Sequence, residues 1–165
     1  MRVTSTGIEN GIIADRFGSK GEHFRNGMPI YSLPFEIGDA PDDAVAFAVI
    51  FDDHDAVPVY GFTWLHWLIS DLRRTSLKEN ASVNDKDLIQ GVNSCHSCAS
   101  DLSLEDATGY GGPAPPNCTH KYDLKVFALD KELSLKSGFR LNDLMHAMEG
   151  HVICHAKVSG LYSPR

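Results

Sequence analysis

No segment of this 165-residue chain approaches the roughly 18 consecutive apolar residues of a membrane-spanning helix. The stretch from Met1 to Phe24 lacks an apolar run of signal-peptide length, because Glu9 and Asp15 interrupt it. Basic runs are also absent, and the formal net charge is −7. That balance argues against a broad nucleic-acid surface, which needs clustered Lys and Arg, and against adsorption to anionic lipid. Neither G-x-S-x-G nor H-E-x-x-H occurs, so no hydrolase or zinc-protease signature stands out. Internal repeats, low-complexity segments and linkers are missing as well. We therefore expect one domain over residues 1–165, soluble and cytoplasmic, with no cofactor, no nucleic acid and no stable membrane insertion. A composition of 42% hydrophobic and 22% charged residues suits a globular chain with a real core.

What is present reads as β-structure. The run Ala46-Phe47-Ala48-Val49-Ile50-Phe51 is continuously apolar and ends in Asp52-Asp53, as expected of a strand buried on both faces. Thr63 to Ile69 predicts a second strand, in which alternation puts Trp64, His66 and Leu68 on one face and Leu65, Trp67 and Ile69 on the other. Residues 71–119 are polar and turn-rich, with a helical turn predicted at Ser103 to Ala107. His120 to Leu129 is a third strand, with His120, Tyr122, Leu124, Val126 and Ala128 on one face. Leu141, Leu144, Met145 and Met148 recur at helical spacing, with Asn142 as the expected N-cap and Gly150 placed to end the helix. His151 to Leu161 reads as a last strand. The expected fold is mainly β: an antiparallel two-sheet β-sandwich of Greek-key type with one or two short peripheral helices.

Chemistry gathers at strand ends. Asp52-Asp53-His54-Asp55 closes the first strand, His66 lies inside the second, and the stiff loop YGGPAPPNCTHKY, Tyr110 to Tyr122, delivers His120 to the third. If these strands are neighbours, two imidazoles and one or two carboxylates meet around a small cavity. Imidazoles can donate N–H bonds and carry charge near neutral pH, and a Gly-Gly turn lets backbone N–H groups approach an anion. The four cysteines leave several readings open. Cys95-His96-Ser97-Cys98 and Cys118-Thr119-His120 offer free thiols, a disulfide or redox dithiol, or a Cys₃His set (Cys95, Cys98, Cys118, His120) for zinc. A thiol-based redox or hydrolytic protein using Cys95, Cys98 or Cys118 with His120 is the alternative function.

Five motifs occur in one order: FAVIFDDHDAV, W-x-HW at Trp64 to Trp67, QGVNS at Gln90 to Ser94, YGGPAPP with H-x-Y, and AMEGHV at Ala147 to Val152. Together they resemble the phosphatidylethanolamine-binding protein family, and most of all its bacterial, Raf-kinase-inhibitor-like branch. The resemblance runs from about Ser32 to Tyr162. It implies a β-sandwich with a preformed pocket for a phosphate or carboxylate group. It assigns the pocket carboxylates to Asp53 and Asp55, its histidines to His66 and His120, and its aromatic neighbours to Trp64 and Tyr122. The pocket wall falls on Tyr110, Gly111, Gly112 and Pro113, continuing to Pro116. It also implies a non-enzymatic regulator of a protein partner, such as a kinase or protease, and a pocket mouth left open or covered in a homodimer. The chain departs from the family at Asp53-His54-Asp55-Ala56-Val57, where the family has D-P-D-A-P. With both prolines absent, we expect this loop to be all trans, since a non-proline cis bond costs roughly 3–4 kcal/mol.

Overall fold

The computed structural model describes all residues, Met1–Arg165. Fourteen strands succeed one another: β1 (Arg2–Thr4), β2 (Ile8–Glu9), β3 (Ile12–Ile13), β4 (Phe24–Arg25), β5 (Met28–Pro29), β6 (Phe35–Gly38), β7 (Ala46–Asp53), β8 (Trp64–Leu72), β9 (Ser76–Leu77), β10 (Ile89–Gln90), β11 (His96–Ser97), β12 (Ser100–Asp101), β13 (His120–Leu129) and β14 (Val152–Tyr162). Three short helices join them: α1 (Val57–Tyr60), α2 (Ala81–Asn84) and α3 (Leu141–Met148).

The fold is mainly β with few short helices, as expected. The finer expectation of two antiparallel layers is corrected. The large sheet has seven strands in the order β10-β8-β7-β13-β14-β3-β2, and it is mixed. Leu161 of β14 pairs with Ile12 of β3 in parallel, because the N-terminal segment runs along the β14 edge in the same direction as that strand. The second sheet, β1-β6-β9, has only three strands. It still shares a core with the first: Val3, Phe35, Ile37 and Leu77 pack with Phe47, Val49, Phe51, Trp67 and Leu124. Phe51 and Trp67 are wholly buried, and each side chain of that size contributes about 3 kcal/mol on leaving water.

β7 is buried along its whole length. Phe47, Val49 and Phe51 face the shared core, whereas Ala48 and Ile50 face a second cluster with Leu68, Leu129, Phe139, Leu144 and Met148. The helix α3 covers that far face through Leu144 and Met148, which explains the unbroken apolar run. Its N-cap is Arg140 rather than the expected Asn142. The Asp143 carboxylate, three residues on, accepts the Arg140 backbone N–H at 2.8 Å, so the cap forms two residues earlier. Gly150, with φ +77°, follows the helix end. The turn at Ser103 forms as expected: its hydroxyl accepts the Asp106 N–H at 3.0 Å.

Candidate functional site

Neighbouring positions across three strands build the site. Asp53 at the end of β7 lies opposite Trp64 of β8 on one side and Tyr122 of β13 on the other. His120 is two residues before Tyr122, so it shares that face. A cavity of about 500 Å³ opens there, lined by Asp53, Trp64, His66, His120 and Tyr122 together with Gly112.

His66 reaches this cavity through a β-bulge. Phe51 pairs with Trp67 and Asp52 with Leu65, leaving His66 as an extra residue in β8. The expected strict alternation is therefore corrected. His66 packs against Phe51 and Tyr122, on the same side as Trp67, while Leu65 and Leu68 both turn to the cluster under α3. Without the extra residue, either the imidazole or Trp67 would point away from the core.

The loop after β12 secures that imidazole. Gly111 donates its N–H to the His66 carbonyl at 2.8 Å and accepts from His66 Nδ1 at 2.5 Å. The neutral ring thus carries its proton on Nδ1, and Nε2 is left as a lone pair without a protein partner. Burial pushes the His66 pKa down, opposed by the Gly111 carbonyl and the Asp53 charge. The folded protein therefore resists protonation there, whereas the unfolded chain takes up that proton below pH ~6.5. Stability contributed by neutral His66 is present above that value and is lost as pH falls toward the depressed folded value. We expect the thermal midpoint to fall less steeply between pH 6.5 and 5 in His66→Gln than in the wild type. Parallel profiles would overturn the assignment.

Asp53 and His120 form the floor. Asp53 Oδ2 lies 2.7 Å from His120 Nδ1, with side-chain exposures of 4% and 1% that leave the pair almost no solvent. Asp53 Oδ1 accepts the Ala56 N–H at 3.2 Å, which fixes the carboxylate. His120 Nε2 contacts Asn117 Oδ1 at 2.9 Å. The Tyr122 hydroxyl is buried and makes no hydrogen bond within the protein. Burial, with the nearby Asp53 charge adding to it, drives that phenol well above its usual range, so it remains an O–H donor.

Other expected site residues lie elsewhere. Asp55 is exposed and outside the cavity, where its Oδ2 accepts the Lys121 N–H at 2.8 Å. The chain has left β7 and turned at His54, so the two-residue spacing no longer returns a side chain to the same face. Tyr110, Gly111 and Pro113 support the wall from behind. The Tyr110 hydroxyl donates to the Phe17 carbonyl at 2.9 Å, and the Pro113 carbonyl accepts the Ser19 N–H at 2.7 Å. Gly112, Ala114, Pro115 and Pro116 line the cavity itself. Every peptide bond is trans, including those of the Asp53–Val57 loop.

Several lining residues were not anticipated. Tyr60 of α1 sits 4.8 Å from Trp64, ring to ring, and extends the aromatic rim. The Asn26-Gly27 turn between β4 and β5 forms another part of the wall. Asn-Gly is a readable hairpin signal, and φ values of 48° and 83° at the two residues fit it. Asn117, which contacts His120 Nε2 but does not itself line the cavity, carried no sequence signal.

The zinc reading is corrected, since no group of three or more Cys, His, Asp or Glu side chains is placed to hold a metal ion. The disulfide reading is corrected too. All four cysteines are free, and Cys95 and Cys98 flank the extended β11 segment. With the two residues between them, His96 and Ser97, in extended strand, three residue steps set their backbones ~10 Å apart, beyond the ~7 Å a disulfide tolerates. Cys95 borders the cavity, but burial pushes its thiol up to about 11, so it is not poised as a thiolate.

No helix is long and apolar enough to cross a membrane. Residues 4–163 match the family model described as phosphatidylethanolamine-binding protein. The YxkA protein of Bacillus subtilis is 41% identical over 138 residues, covering 81% of this chain and 82% of its own length. A UPF0098 protein of Methanothermobacter thermautotrophicus is 33% identical over 159 residues, covering 93% and 92%. Among solved structures, a Chlamydia trachomatis protein described as a phosphatidylethanolamine-binding protein homologue superposes with a TM-score of 0.81 at 28% identity, covering 99% of this chain and 97% of its own. Escherichia coli YbcL shares the fold, with a TM-score of 0.78 at 22% identity over 99% and 98% of the two chains. With a family match over nearly its whole length and a solved homologue of the same architecture, this chain belongs to the phosphatidylethanolamine-binding protein family.

Proposed function

We propose that the chain is a non-enzymatic binding and regulatory protein whose cavity takes a small phosphate- or carboxylate-bearing group. The observation that carries this reading is the convergence of two uncommitted polar groups, the Tyr122 hydroxyl and His66 Nε2, above the Asp53–His120 pair. Tyr122 supplies a donor to an anionic oxygen. Nε2 of His66 accepts from a ligand that carries a proton, such as monohydrogen phosphate or a carboxylic acid. It becomes a second donor when the ring itself is protonated. Because burial resists ring protonation, the first route, a ligand that brings its own proton, is the one the unliganded site favours, and lower pH helps both.

The role we propose is that of a regulator in the manner of the Raf-kinase-inhibitor-like branch, with a kinase or protease as partner and occupancy of the cavity as the signal. Four free thiols suit a reducing, cytoplasmic setting. Exposed Val57, Val59 and Tyr60 beside the mouth suit coverage by a second subunit in a homodimer. The redox or hydrolytic alternative loses support because burial raises the thiol of Cys95, the cysteine that borders the cavity.

The test is thermal unfolding with inorganic phosphate, phosphoethanolamine and acetate. An anion at ten times its dissociation constant adds about 1.4 kcal/mol. Tyr122→Phe removes a buried hydroxyl that has no protein partner, so the unliganded variant is expected to be as stable as the wild type or slightly more so. Its response to anions is expected to disappear. A Tyr122→Phe protein that keeps the full response places the anion elsewhere.

A further inference from the structure

The two histidines of the cavity are not equivalent. Both use Nδ1 inside the protein: His66 bonds Gly111, and His120 bonds Asp53. His66 keeps Nε2 free. His120 does not, because Asn117 Oδ1 lies 2.9 Å from its Nε2. A doubly protonated His120 donates to that oxygen. If Nε2 carries no proton, a rotated Asn117 amide donates its N–H instead. In both arrangements the only ring atom of His120 that a ligand could use is already spent.

Asn117 itself is lightly held. It lies in the exposed Pro116–Thr119 segment, three residues before His120. Its backbone makes no hydrogen bond to other backbone groups, so its side chain is its tie to the cavity. Rotation of that side chain releases Nε2 without disturbing β13. By contrast, the neighbouring wall is anchored through Gly112 to Pro29 and through Pro113 to Ser19.

We propose that Asn117 sets the anion affinity of this site by occupying His120 Nε2, so that a phosphate or carboxylate oxygen must displace the Asn117 amide to gain that donor. This inference rests on the anion-site reading above. It makes Asn117 a specificity-determining residue: only ligands that offer a better acceptor than an amide oxygen open the latch. Anionic oxygens accept stronger hydrogen bonds than neutral amides, so phosphate and carboxylate pass this filter and neutral polar groups do not.

Calorimetric titration of inorganic phosphate into the full chain tests it, using wild type, Asn117→Ala and Asn117→Asp. Losing one competing hydrogen bond predicts about fivefold tighter phosphate binding in Asn117→Ala. Asn117→Asp places a carboxylate where the anion arrives, and binding is expected to weaken at least about tenfold. A ¹⁵N-edited spectrum of the ligand-free proteins reads the contact directly. The His120 Nε2 resonance should move in Asn117→Ala while the Nδ1 resonance facing Asp53 stays. Wild type and Asn117→Ala binding phosphate equally, or the variant binding more weakly, overturns the latch and leaves the anion site standing. Phosphate binding by neither overturns both. Binding by Asn117→Ala alone supports both, with the latch stronger than expected.

Discussion

Asp53→Ala is expected to destabilise the protein by about 3 kcal/mol, because it strips a buried imidazole of its partner. The Asp53 and His120 side chains are 4% and 1% exposed, so water cannot replace the lost carboxylate. The Ala56 N–H at the turn loses its acceptor at the same time. In a chain of this size each kcal/mol moves the thermal midpoint by ~2–4 °C, so a fall of about 6–12 °C is anticipated. The double variant Asp53→Ala, His120→Ala should be less damaged than the sum of the single variants, since the orphaned ring is gone. A single-variant loss below about 1 kcal/mol, or strict additivity, would show that the pair does not hold the floor of the cavity.

The second large effect concerns Gly112. A Cβ at this position would lie 2.3 Å from the Phe17 carbonyl and 3.0 Å from Pro29 Cβ. Neither neighbour can retreat easily. The Phe17 carbonyl accepts from the Tyr110 hydroxyl, and the Pro29 carbonyl accepts the Gly112 N–H at 2.8 Å. Gly112→Ala is therefore expected to cost about 3 kcal/mol and to shift the wall of the cavity. Gly27, on the opposite rim, is the control. It has φ +83° and nothing within 4 Å of an added Cβ, so Gly27→Ala carries only a backbone cost of about 1 kcal/mol. Urea denaturation of the two variants separates close packing from backbone strain, and equal losses would refute the packing argument.

The histidine positions show how far the chain can be read without its structure. Local patterning placed the strands around His66 and His120 well, because apolar runs and turn residues act over a few positions. It could not place the bulge at His66. A bulge depends on which residue of β8 faces which residue of β7, and nothing near His66 in sequence announces it. The same limit applied to Asp55, which the family resemblance assigned to the cavity and a turn at His54 carried to the surface. The cysteines suggested zinc or a disulfide from spacing alone, yet the extended β11 segment holds Cys95 and Cys98 apart.

The sequence established a mainly β chain, the helix before Gly150 and the order of five motifs, and the resemblance those motifs carry pointed to Asp53, His66, His120 and Tyr122 as residues to examine. Tertiary structure decided the rest. It set the mixed edge of the large sheet, the turning of His66 onto the face of Trp67, and the different partners of the two imidazoles. It also brought Asn117 over His120 Nε2. The reason is physical: strand and helix formation follow from short-range backbone preferences and hydrophobic periodicity. A ring nitrogen's partner is instead settled by register and packing between segments such as Phe51 and Trp67, or Gly111 and His66, that lie far apart in the chain.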